Sequence, residues 1–244
     1  MYHPFSVAET TKTAWTIFKK NFATIIVYSI AASFLLLVLG GVVEFVIAPE
    51  EFTGKMIVSL FMVFVQTYTT LGLYKLIFTV IDSEYYEFEF SQILPPFKSI
   101  MSYLGVIFSM AFIVTTFHLL MTKLDDYPYL QQLIEDVAAI AALYFALRIM
   151  FFVTFIIDDK SGGLESLRQS FQLTKGYFFK ILAMLGIILL FIALPAALSQ
   201  YNGLSFISAA IIVTYPFVNI ILAVTYRKLI YSHQDVDDDI AETN

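Results

Sequence analysis

Cysteine is absent from the 244 residues, which removes disulfides, thiol nucleophiles and iron–sulfur ligands from consideration. Histidine is almost as scarce. His3, His118 and His233 are the whole set, and none is spaced with another histidine or a carboxylate as a metal-binding helix requires, so a zinc enzyme is not expected. No Gly-Lys-Ser/Thr loop is present to cradle a phosphate. Gly203-Leu204-Ser205-Phe206 has the opening of a nucleophile elbow, but Ile207 stands where glycine is needed and no histidine base lies nearby in sequence; Ser205 reads as a loop serine. Charge is thin as well, at 14% of residues against about 25% in soluble domains. The expectation is a chain that is not an enzyme, with no catalytic, cofactor-binding or metal-binding residues and no cofactor.

Apolar and aromatic residues fill the space left by these absences: 59% of the chain is hydrophobic, with 25 Phe and 15 Tyr. They form six long runs, drawn at residues 21-47, 56-81, 99-121, 133-157, 177-199 and 205-227, each at or above the roughly 20 residues that cross about 30 Å of hydrocarbon as a helix. Stretches such as Ala31 to Val43 and Ile181 to Leu194 must satisfy their backbone groups internally, and the period-2 alternation of a β-barrel is missing. The fold class expected is all-α: a polytopic membrane protein with six transmembrane helices in a single domain, 1-232, followed by an acidic disordered tail, 233-244. A cleaved signal peptide is not expected, because about 20 polar and amphipathic residues precede a first run longer than a 7–15-residue signal core.

Laid across a bilayer, the six runs put twelve of the fourteen Lys and Arg on one side: Lys12, Lys19, Lys20, Lys75, Lys98, Arg148, Lys160, Arg168, Lys175, Lys180, Arg227 and Lys228. Lys55 and Lys123 fall on the other, with Glu50, Glu51, Asp125 and Asp126. The positive-inside rule then places both termini in the cytoplasm. The acidic tail, with Asp235, Asp237, Asp238, Asp239 and Glu242, makes nucleic acid an unexpected partner.

Two polar segments on the basic side carry helical patterning. Ser6-Val7-Ala8-Glu9 has the form of a capping box, and Val7, Thr11, Ala14, Trp15, Phe18 and Phe22 follow at helical spacing with Lys12 and Lys19 off that face. Beyond Asp158 and Asp159, the Gly162-Gly163 pair interrupts the chain, and Leu164, Leu167 and Phe171 mark a second apolar face. Both segments read as interfacial amphipathic helices. Without gaps, Glu9, Lys12, Trp15, Ile17, Lys19 and Phe22 align with Glu165, Arg168, Phe171, Leu173, Lys175 and Phe178; a parallel internal repeat and convergence of two interfacial helices both account for the match.

The stretch from Arg148 through Asp158-Asp159 to Gly163-Leu164-Glu165-Ser166-Leu167-Arg168-Gln169-Ser170-Phe171-Gln172-Leu173-Thr174-Lys175-Gly176 resembles the recurring pattern of a broad bacterial family of uncharacterised six-helix membrane proteins. That family is similar to the membrane domain of glycerophosphoryl diester phosphodiesterases. Ala14 to Phe22 resembles its opening and Phe90 to Phe97 its second cytoplasmic loop. Leu167 beside Ser166 and Phe171 in a place often held by Trp depart from its pattern. The phosphodiesterase catalytic domain of some relatives is absent from this sequence, so the resemblance implies architecture and no hydrolase activity.

Within the runs a few polar groups are costly. Arg148 lies ten residues before Asp158, about 15 Å along a helix, and Pro216 lies at a similar depth before Arg227, where it frees the Ile212 carbonyl. With Asn219, Lys75 and Tyr74 these groups are expected to converge, either as a pocket in which Arg148 and Lys75 attract an anionic headgroup or partner carboxylate, or as internal glue in which Arg148 satisfies broken-helix carbonyls. Gln66 is a further interhelical hydrogen-bond candidate. Ser83 to Phe90, including Tyr86 and Phe88, alternates acids with aromatics beside the membrane, as an aromatic belt or as an edge strand for a partner. Trp15, Phe18, Leu167, Phe171, Tyr86 and Phe88 form the expected cytoplasmic interaction surface. The function expected is a non-enzymatic accessory or scaffold subunit of the bacterial inner membrane that binds other membrane proteins or lipid. The alternative is a carrier or permease for an amphipathic or anionic substrate, which lacks the paired broken helices of transporter halves.

Overall fold

A backbone in hydrocarbon must pair its own N–H and C=O groups, and the apolar runs accordingly become helices. The computed structural model describes residues 5–47, 51–82, 90–202 and 206–242, and no strand occurs among them. In chain order the elements are α1 (Val7–Lys20), α2 (Phe22–Ile47), α3 (Phe52–Asp82), a short 3-10 turn (Phe90–Ile93), α4 (Phe97–Met121), α5 (Pro128–Ile149), α6 (Phe152–Asp158), α7 (Gly163–Leu173), α8 (Phe178–Asn202) and α9 (Phe206–Glu242). The protein is an all-α polytopic membrane protein. Five segments are long and apolar enough to cross individually: Phe22–Val46, Phe52–Asp82, Phe97–Leu124, Pro128–Asp158 and Ala210–Ser232. The remaining run, the fifth in chain order, belongs to α8, and the chain bends by 109° between α7 and α8.

Local chemistry sets the boundaries. Asn21 separates α1 from α2, its backbone and side-chain amides both donating to the Ile17 carbonyl at 3.1 and 3.0 Å. Pro128 opens α5 at a position where its missing N–H costs nothing. Gly176, at φ 87°, makes the left-handed turn between α7 and α8. Ser6 makes no side-chain cap to α1, so the expected capping box does not form; the Ser6 carbonyl instead accepts from the Thr10 amide at 3.0 Å and the Thr10 hydroxyl at 2.7 Å. The expected tail boundary at 233 is not where α9 ends, since the helix continues to Glu242.

The spans form three hairpins, α2 with α3, α4 with α6, and α8 with α9, arranged as a ring. The first span of each packs on the second span of the hairpin before it: α4 on α3, α8 on α5, α2 on α9. The segment that leads into each hairpin does likewise, with the 3-10 turn on α3, α7 on α6 and α1 on α9. Second spans meet at the centre. Burial follows this order: 11% of the membrane window is buried in α2 and in α4, against 33% in α3, 44% in α5–α6 and 56% in α9. Leu71, Leu76, Ile77, Phe151, Ile156, Ile220, Ile221 and Tyr226, all fully buried, make the inner layer. The register that pairs Glu9 with Glu165 also pairs Val7 with Gly163 and Phe22 with Phe178, the first residues of α1 and α7 and of α2 and α8.

Candidate functional site

The fourth span is broken at Met150-Phe151, between α5 and α6, although neither residue nor its neighbours is glycine or proline. The break frees backbone groups that hydrocarbon cannot satisfy, and α7 supplies their partners. The Ser170 hydroxyl donates to the Arg148 carbonyl at 3.0 Å and accepts from the Phe151 amide at 3.1 Å. The Thr174 hydroxyl lies 3.4 Å from the same carbonyl. At the other end of α7, the Gly162 amide donates to Glu165 Oε2 at 3.3 Å, and a Cβ on Gly163 would meet the Ser102 carbonyl of α4 at 2.8 Å. Glycine is required there by close approach.

This docking inverts the expected face of α7. Its buried residues are Ser166, Ser170 and Leu173, while Leu164 is 86% exposed and Leu167 and Phe171 are half-buried. The broken backbone needs hydroxyl donors, so Ser166 and Ser170 turn inward while Leu164 is left exposed and Leu167 and Phe171 half-buried.

Arg148, at the end of α5, is 8% exposed. Its guanidinium carbon stands 4.1 Å from the centroid of the Phe171 ring, and its buried Nε has no hydrogen-bond partner among the described residues. Ring stacking of a desolvated guanidinium is worth about 2 kcal/mol. Tyr144 completes the aromatic wall, 6.5 Å from Phe171 and 5.9 Å from Phe178 between centroids. The Arg148 carbonyl freed by the break is thus met by the hydroxyls of Ser170 and Thr174.

The other expected members of the cluster end on different partners. Lys75 Nζ donates to the Leu94 carbonyl at 2.8 Å, and Asn219 Nδ2 donates to the Tyr215 carbonyl of its own helix at 2.8 Å. Tyr74 is buried in α3. Pro216 lies inside α9 beside Phe217, whose ring is met by Trp15 at 5.6 Å, Phe18 at 5.3 Å and Phe191 at 4.9 Å. Because α5 packs on α7 and α8, Arg148 is not brought together with the α3 and α9 groups. Of the expected interaction surface, Phe18 is buried and so contributes no surface, whereas Trp15 is 47% exposed. Tyr86, Phe88 and Ser205 lie outside the described residues.

A second polar cluster, at the charged ends of the inner helices, was not anticipated. Arg227 Nη2 of α9 donates to Asp82 Oδ2 of α3 at 2.7 Å and to Asp158 Oδ1 of α6 at 2.9 Å, and the Tyr226 hydroxyl donates to Asp158 Oδ2 at 3.0 Å. One guanidinium therefore ties all three inner helices. The available signal was the Ile-Asp pair that closes both runs, Ile81-Asp82 and Ile157-Asp158. Beside this cluster lies a cavity of about 320 Å³ lined by Lys75, Phe78, Thr79, Asp82, Ile157 and Asp158. Just outside the span, partial burial and the adjacent Asp158 carboxylate push the Asp159 carboxyl above the usual carboxylate range, with Arg227 partly offsetting them and Glu165 adding to them. Lys228 pairs with Glu9 of α1 at 2.8 Å.

The third feature is a groove. Between α2, α3 and the 3-10 turn lies a cavity of about 640 Å³, bounded by Ala23, Val27, Ala31 and Leu35 on one side and by Gly72, Leu76, Ile93 and Leu94 on the other. Tyr28 crosses its inner end, donating to the Thr69 carbonyl at 2.8 Å over Gly72, where a Cβ would collide with the Tyr28 hydroxyl. Beyond Tyr28 is a smaller cavity of about 180 Å³ with Ser29, Ser33, Gln66, Thr70 and Tyr215 in its wall. Comparisons with protein-family models, with curated proteins and with solved structures find no match to this chain.

Proposed function

We propose that the protein is a non-enzymatic accessory or scaffold subunit of the bacterial inner membrane, with both termini in the cytoplasm, that binds another membrane protein through its cytoplasmic face. The observation that carries this reading is α7: a helix locked in place through its hydroxyl stripe, with Leu164 exposed and Leu167 and Phe171 half-buried. A helix so fixed offers a preformed surface and loses little entropy on binding. The placement of the cytoplasmic face rests on the twelve basic residues on one side of the six runs. The resemblance to the membrane domain of glycerophosphoryl diester phosphodiesterases is compatible with the same reading, because the residues that carry it are those that dock α7.

Gentle-detergent purification from native membranes tests the proposal. The expected result is a stoichiometric membrane-protein partner that is lost from Leu164→Asp/Leu167→Asp, with the variant still folded. An isolated protein that supports solute flux in liposomes would overturn it in favour of a carrier. Because the chain has no cysteine, a single cysteine placed in α7 reports sidedness directly: labelling from the periplasm would refute the topology.

A further inference from the structure

The groove between α2 and α3 is unusual in what its small residues do. Small side chains on facing spans ordinarily let two backbones close on each other. Here Ala23, Ala31 and Gly72 border a space of about 640 Å³, a size in the ~300–1,000 Å³ range of ligand pockets. Among the described residues its lining holds no charged residue: Thr24, Tyr28, Tyr68 and Thr69 are the polar members, and Tyr28 already donates to the Thr69 carbonyl. Hydrocarbon suits such a space, and a hydrated solute does not.

The charge lies at one end. Leu94, part of the wall, gives its carbonyl to Lys75 Nζ at 2.8 Å. An ammonium has three donors, and among the described residues this carbonyl is the hydrogen-bond partner of Lys75. Lys75, which also lines the cavity with Asp82 and Asp158, thus brings an ammonium to the wall of a groove whose lining, among the described residues, is uncharged.

We propose that this groove is a specific site for one anionic phospholipid, with an acyl chain lying between α2 and α3 and the phosphate-bearing headgroup held at Lys75. Tyr28, fixed over Gly72, closes the inner end and keeps the chain out of the polar cavity beyond. The site goes beyond the accessory-subunit reading and is independent of it, since it uses none of the α7 surface.

Native mass spectrometry of the full chain, titrated with phosphatidylglycerol and with phosphatidylcholine, tests the site. The expected result is retention of one phosphatidylglycerol per chain in preference to phosphatidylcholine. Ala31→Phe, which fills the groove, should abolish retention. Lys75→Gln should lower the preference at least threefold, and Ile113→Phe on the exposed face of α4 should change nothing. If Ala31→Phe does not fold, a Trp15→Phe/Leu35→Trp chain in phosphatidylcholine nanodiscs serves instead: bromine-labelled phosphatidylglycerol should quench Trp beyond its mole fraction, and Lys75→Gln should remove the excess. Equal retention of both lipids, or phosphatidylglycerol retention unchanged by a folded Ala31→Phe or by Lys75→Gln, would overturn the proposal. So would quenching that only follows mole fraction, or occupation of the groove by a second copy of the chain.

Discussion

Helices α1 and α7 occupy the same register and solve different problems. Thr10, Ala14 and Phe18 are buried in α1; the aligned positions in α7, Ser166, Ser170 and Thr174, are also buried. The inward stripe is thus conserved in position but not in chemistry. α1 packs on α9, which is helical throughout its length, so an alanine and a phenyl ring fill the interface and Phe217 supplies the opposing surface. α7 packs on a broken span, whose unpaired backbone groups demand hydroxyls. The ring aligned at 15 and 171 diverges in the same way: Trp15 meets an aromatic edge, whereas Phe171 lies under a guanidinium. What an interfacial helix turns inward is decided by the integrity of the span it rests on.

The sharpest way to break this comparison is to exchange the two chemistries. Ser170→Val should destabilise the folded chain by about 2–4 kcal/mol, because a buried amide and a buried carbonyl each lose a partner. At the aligned position Ala14→Ser should cost less than about 1 kcal/mol, since a helical serine can bond its own preceding turn. Thermal unfolding in detergent measures both; equal losses would refute the distinction. Next in size is Phe171→Leu, which leaves the Arg148 charge without its ring and should cost about 2 kcal/mol, against a change within about 0.5 kcal/mol for Trp15→Phe. A smaller effect is expected at the ion pair of α1. Glu9 is well exposed, so Glu9→Gln should cost at most about 1 kcal/mol at low salt and nothing measurable in high salt.

The smallest effect concerns pH beside α7. The folded chain raises the Asp159 pKa, so its charged form is disfavoured on folding and the resulting penalty is present at neutral pH and disappears as pH falls through the raised value. Asp159→Asn should therefore raise the melting temperature slightly at pH 7 and leave it unchanged in acid. A gain that persisted unchanged in acid would show that its cause is not titration.

Periodicity and length carried most of the architecture. Apart from α9, which continues past its run to Glu242, the spanning helices begin and end within a few residues of the runs read from the sequence, because about 30 Å of hydrocarbon leaves a helix few places to stop. The break at Met150-Phe151 was not legible: it lies in an apolar stretch without glycine or proline, and it exists because partners for it arrive from α7. With the break went the inward face of α7, although Ser166, Ser170 and Thr174 at four-residue spacing were its visible trace. Arg148 was recognisable as the costly charge of the fourth run, but its ring partner depended on that rotation of α7. The Arg227 bridge was hidden for another reason. Its three members lie on separate helices, and only the three-dimensional ring of hairpins brings them to one point.

The broken span also has a consequence in time. Ser170 is made 22 residues after Arg148, so at about 5–20 residues per second the ribosome delivers the missing hydroxyl roughly one to four seconds late. During that interval the fourth span is in the insertion machinery with unpaired backbone groups, and it must wait there or stay hydrated. Ribosome-stalled chains in which Ser170 has and has not emerged from the ribosome would differ in how firmly that span is held in the bilayer.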